Sequence, residues 1–134
     1  MIRRIALATV VSLSGLSHQS GAQASSPTPA PLGVWRGTSL CLVKPSSCND
    51  EVTVYRISRT KSSDSVAVDA RKIVNGQEEE MGVLTCRLTA EGLSFSCALP
   101  KGVWRFATHG DSLVGDLRLL DGTKFRDVRA VRSH

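Results

Sequence analysis

Leu84-Thr-Cys86-Arg-Leu88-Thr-Ala90-Glu91-Gly92-Leu93-Ser-Phe95-Ser-Cys97-Ala-Leu99 is the stretch that decides the fold. Glu91-Gly92 is a turn signal between two alternating segments. Leu84, Cys86, Leu88 and Ala90 share one face of the first segment, and Leu93, Phe95, Cys97 and Leu99 share one face of the second. A two-residue turn at Glu91-Gly92 pairs Ala90 with Leu93, Leu88 with Phe95 and Cys86 with Cys97. Both apolar sets then lie on one side of a hairpin. Directly opposed residues sit about 4.5–5.5 Å apart at Cα, within disulfide reach. The register predicts a Cys86–Cys97 bond, and Cys41–Cys48 follows by default. Closing a loop of this length stabilises by about 3 kcal/mol on chain-entropy reasoning.

The other uses of four cysteines fit the spacing poorly. Zinc modules take their ligands in C-x2–4-C knuckles. Here the gaps are longer, and one pair lies inside regular strands. A redox centre needs C-x-x-C, which is absent. The cysteines therefore read as scaffold, with no metal and no cofactor expected.

Outward from this hairpin, turn signals recur at short intervals and the segments between them alternate, the pattern of an all-β protein. Asn75-Gly76 is the strongest of these signals. A two-residue turn there sets Arg71 opposite Glu80 and Lys72 opposite Glu79, pairs that each contribute roughly 0.2–1 kcal/mol. The run Glu78-Glu79-Glu80 thereby has a structural explanation. Neighbours on a strand point to opposite faces, so three consecutive carboxylates do not converge on one ion. Val66 and Val68 face the core in one phase, and Leu84, Cys86 and Leu88 in the other. A bulge near Gly82 reconciles them.

The strands expected are Val34–Leu42, Glu51–Ser58, Ser65–Val74, a fourth running from the Asn75-Gly76 turn to Ala90, Leu93–Leu99, Val103–Thr108, Ser112–Leu120 and Thr123–Arg132. In the last of these, Phe125 and Arg126 compete for the inward face. Eight antiparallel strands in sequence with no helix predict an up-and-down meander closed into a small barrel, with a two-sheet sandwich as the alternative.

Residues 1–24 read as an export signal. Arg3 and Arg4 precede an apolar run from Ile5 to Leu16, and Ala22-Gln23-Ala24 is a small-x-small cleavage site. The apolar run is shorter than the ~20 residues a bilayer crossing needs. The mature chain is expected in the periplasm or outside the cell, with cleavage after Ala24 and no membrane span. An oxidising compartment agrees with disulfides. Ser25–Leu32 carries three prolines and reads as an extended, unpacked tether. Residues 33–134 form the single domain.

The sequence has 17 basic and 12 acidic residues. Without Arg3 and Arg4, fifteen basic residues face twelve acidic ones, which is ordinary solubility. The C-terminal arginines are interleaved with aspartates, and there are only six aromatic residues in all. A nucleic-acid groove adds stacking platforms to a basic track, so nucleic acid is not an expected partner.

Pro31-Leu-Gly33-Val-Trp35-Arg36 is echoed by Pro100-Lys-Gly102-Val-Trp104-Arg105. Each copy reads as a turn followed by a strand with a large apolar anchor. In its first copy, Gly33-x-Trp35 with a late arginine, Arg129 or Arg132, resembles the lipocalin-like (calycin) barrels. The chain also resembles small exported bacterial proteins without an assigned activity. The calycin resemblance implies a closed barrel with a cavity for a small molecule, although a fold alone does not fix a function.

Catalytic constellations are not visible. His109 sits in a turn, His134 is terminal, and neither has a nucleophile at motif spacing. The chain is expected not to be an enzyme. A binding module for a small apolar molecule is the first expectation, with Trp35, Leu84, Leu88, Phe95, Trp104, Phe106, Leu113 and Leu117 as its cavity lining. The second is an inhibitor or other interaction module of the cell envelope, presenting the tether and the loop Lys44–Asp50 to an exported protein.

Overall fold

The computed structural model describes residues Thr28–His134. The expected leader and its cleavage site lie outside the described residues. Eight strands follow in order: β1 (Gly33–Cys41), β2 (Glu51–Arg59), β3 (Ser65–Val74), β4 (Gln77–Leu88), β5 (Ser94–Leu99), β6 (Gly102–His109), β7 (Ser112–Leu119) and β8 (Lys124–Ser133). Each pairs antiparallel with the next, and β8 returns to β1, so the sheet is a closed barrel rather than a sandwich. Closure removes the outermost edges that an open meander would leave.

The β3–β4 hairpin has the expected register. Asn75 and Gly76 both take positive φ, 50° and 78°, as a two-residue turn with matching twist requires. Arg71 is opposite Glu80 and Lys72 opposite Glu79. The ion pairs, however, run diagonally as well as across. Glu78 is bound by both terminal nitrogens of Arg56, at 2.6 and 2.8 Å, and Arg71 binds Asp69 at 3.0 Å. Lys72 reaches Glu79 at 3.9 Å. The register slips by one residue between Ala70 and Arg71, where Gly82 and Glu80 are the successive partners. Met81 is the extra residue, and it puts the phase change beside Gly82 as expected.

The β4–β5 hairpin also keeps its register, with Leu88 opposite Phe95. Both disulfides form as predicted, and the Cα atoms of Cys86 and Cys97 are 4.3 Å apart. That spacing matches a directly opposed pair without ladder hydrogen bonds. The turn itself is wider than expected. The Thr89 and Ser94 backbones close it, and Gly92 N–H bonds to the Thr89 carbonyl. Ala90 and Leu93 are therefore loop residues outside the ladder, and Leu93 is 53% exposed. Thr89 explains the difference, since its hydroxyl accepts from Ser94 N–H and donates to the Ser94 carbonyl, capping a four-residue loop.

The core fills the end of the barrel where β1 begins. Trp35 and Leu113 are fully buried there, with Ile57, Val66, Phe95 and Ala130 around them, and Val128 is buried farther along, opposite Ser39. Trp35 Nε1–H donates to the Pro31 carbonyl at 2.8 Å. The Arg132 guanidinium lies 4.2 Å from the Trp35 ring centroid and donates to the carbonyls of Ala30 and Leu32. An arginine over an indole face is attracted by the ring quadrupole. Of the two late arginines considered, Arg132 is the partner, while Arg129 points into solvent. Pro31 is buried and Leu32 packs on the core. Pro29–Leu32 is thus not an unpacked tether but a plug across this end, because Trp35 takes up the Pro31 carbonyl and Arg132 those of Ala30 and Leu32.

At the start of β8 the competition between Phe125 and Arg126 is settled for Arg126. The β7–β8 register slips between Leu117 and Arg118, and Arg126 pairs opposite Leu117. Phe125 is the residue that falls outside the pairing.

Candidate functional site

The plugged end leaves the opposite end open, and a cavity of about 300 Å³ lies there. Its position follows from strand lengths. β5 has only six residues while β4 has twelve, so the wall is low on the β5 side. Met81–Leu84 on β4 and Leu99 on β5 line the cavity on this side, beyond the paired part of the β4–β5 seam.

Its apolar wall comes from alternating inward positions. Val68 and Ala70 of β3 face Leu84 of β4, and Trp104 and Phe106 rise from β6. Phe106 is the hub of the aromatic side. It stacks on Phe95 at 4.9 Å and on Trp104 at 5.4 Å, and meets Tyr55 edge-on at 5.5 Å. Such pairs contribute about 0.5–1.5 kcal/mol beyond area burial. Gly115 on β7 makes room for this stack, since a Cβ there would fall closer than 3.0 Å to the Phe106 ring.

The other side of the cavity is polar. Arg126 points inward and donates to Ser39 Oγ at 3.0 Å and to the Asn49 carbonyl at 3.1 Å. Glu51 lies 3.7 Å away, and both side chains are largely buried. A desolvated guanidinium needs such partners. Tyr55 joins the same wall. Burial pushes its phenol up to about 12, with the Thr53 side chain opposing that rise. It is neutral at physiological pH and able to donate or accept a hydrogen bond. The site combines a greasy wall with a charged, internally balanced pole.

The Tyr55 shift carries a stability prediction. The phenol's pKa is about 12 in the folded chain against 10.0 for the free group. Its contribution is intact below pH 10 and is lost as pH rises toward 12. Stability should fall by about 1.4 kcal/mol per pH unit in that window. Ultraviolet titration of this single tyrosine tests it, with a phenolate midpoint near 12 expected and a midpoint near 10 contradicting the burial.

The residues expected to line a cavity divide between the two ends. Leu84, Trp104 and Phe106 line it. Trp35, Phe95 and Leu113 are instead packed solid in the plugged half. Leu88 packs against that core, and Leu117 is half-buried opposite Trp104 and Arg126 without lining the cavity. The two P-x-G-V-W-R copies therefore serve opposite ends, Trp35 the plug and Trp104 the cavity. Sequence reasoning missed Ser39, Glu51, Tyr55, Val68, Ala70, Met81, Leu99 and Arg126. The signal for several was present: Val68 and Ala70 continue the Val66 alternation, and Ser39 continues Trp35 and Gly37. His109 lies exposed at the end of β6, beyond Phe106, and does not line the cavity.

No known protein family matches this chain, and no curated protein does either.

Proposed function

We propose that the chain is an exported binding module whose open end holds a small apolar or amphipathic molecule. The observation that carries this reading is the cavity, apolar on one side and polar on the other, in a barrel otherwise filled by side chains. A volume of about 300 Å³ sits at the small end of the range for ligand pockets. The occupant is therefore compact, with its apolar part against Val68, Leu84, Trp104 and Phe106 and any polar atom toward Tyr55 and Arg126. Arg132 over Trp35, in register across the β1–β8 closure, supports the likeness to lipocalin-like barrels. The disulfides support an oxidising location, the periplasm or the exterior.

Binding is tested with an anilinonaphthalene dye, read by its emission and by quenching of Trp104. The chain should bind one equivalent, and small fatty acids should displace it. Ala70→Phe places a ring in the cavity and should weaken binding at least tenfold while leaving the thermal transition within a few degrees. Equal dye affinity for Ala70→Phe would overturn the reading.

A further inference from the structure

We propose that the free edge of β4, Gln77–Val83, is a docking strand for an extended polypeptide segment with alternating apolar and basic side chains. β5 pairs with β4 only at Arg87–Ser96 and Leu88–Phe95, with the Cys86–Cys97 bond just above. The same register sets Leu99, the last residue of β5, opposite Leu84. Above that point β4 pairs with β3 on one side and, among the described residues, with no strand on the other. The turn at Asn75-Gly76 makes Val74 and Gln77 a hydrogen-bonded pair, and alternation makes Lys72 and Glu79 the next. Backbone N–H and C=O groups of Glu78 and Glu80 therefore face the free side. The Thr53 hydroxyl on the Arg71 carbonyl, which points away from β4 toward β2, agrees with this phase.

Side chains decide the partner. Glu78 and Glu80 share the outer face, and all of Gln77–Met81 is exposed. Arg56 holds Glu78, whereas Glu80 has no ion pair among the described residues. A second copy pairing antiparallel through this edge would set glutamate against glutamate, which destabilises. A basic segment would set lysine or arginine there instead. On its inner face, the added strand would pass over Met81, Leu84 and Leu99 at the cavity opening, so those positions favour apolar side chains. Strand addition of this kind draws affinity from main-chain hydrogen bonds and specificity from alternate side chains.

The inference goes beyond the small-molecule reading and has its own test. A ten-residue peptide alternating lysine and valine is titrated into isotope-labelled protein with both disulfides formed. Amide shift changes should centre on Glu78–Val83, and the Glu78 and Glu80 amides should gain exchange protection. The same peptide N-methylated on alternate residues, in both phases, should bind at least tenfold more weakly in the phase that blocks the β4-facing nitrogens. A glutamate-for-lysine peptide should bind weakly in the same way. Equal binding by all the peptides, shift changes elsewhere, or no binding at millimolar peptide would each overturn the docking edge. Dye binding without peptide binding would remove this proposal and leave the cavity reading standing.

Discussion

A Cys86→Ala/Cys97→Ala double variant should lose about 3 kcal/mol of stability, read as a lower midpoint in urea or guanidinium unfolding under oxidising conditions. Part of that figure is loop-closure entropy returned to the unfolded chain. The rest of the argument is local. The β4–β5 seam has two paired positions, whereas β3–β4 has ten and β5–β6 has six. The disulfide lies where the paired part of this seam ends and the cavity opening begins. It is buried, with both cysteines at 1% exposure, so removing it also leaves a small void in the core. The Cys41–Cys48 bond closes a surface loop outside the sheet, and its removal should leave the seam intact. Hydrogen exchange should separate the two, with faster exchange across Arg87–Ser94 only in the first variant. Unchanged exchange there in a folded double variant would show that the seam does not depend on the bond.

Gly37→Ala should be comparably damaging, with a loss of about 3 kcal/mol or more and a chain that folds poorly. Gly37 sits mid-β1, between Thr53 of β2 and Ala130 of β8. A Cβ at this position would lie closer than 3.0 Å to the Arg129 carbonyl and the Ala130 Cα. Both are backbone atoms, so no rotamer change relieves the overlap. The strands must separate where the barrel closes, and ladder bonds between β1 and β8 are lost. Overpacking alone costs about 1–3 kcal/mol, and opened backbone pairs add to it. Gly76→Ala is the informative contrast, since nothing lies within 4 Å of a Cβ there and only the turn conformation is strained. Equal unfolding midpoints for Gly37→Ala and the parent chain would show that β1 and β8 are not held this close.

Hairpin register was legible wherever short-range signals agreed. Asn75-Gly76 and its flanking charges placed β3 on β4, and the alternation around Cys86 and Cys97 placed β4 on β5. What escaped was set by single side chains acting at a distance. Thr89 widened a turn that Glu91-Gly92 alone would make tight. Arg126 turned inward because Ser39, Asn49 and Glu51 receive it, partners 87, 77 and 75 residues away in the chain. Pro31 became part of the core because Trp35 and Arg132 use the carbonyls around it. The cavity was hardest to place. Alternation shows which residues face inward, but whether they meet or leave space depends on strand lengths across the barrel. The shortness of β5 beside β4 created the opening, and large inward residues alone did not reveal it.

The open end as the binding site is tested most directly by nuclear Overhauser contacts between a bound anilinonaphthalene dye and assigned methyl groups. Contacts should appear to Val68, Ala70, Leu84 and Leu99, and be missing from Leu113 and Val66 in the plugged half. Contacts confined to the groove around Leu88–Leu93 at the plugged end, or a dye that binds nowhere on the folded chain, would contradict the account.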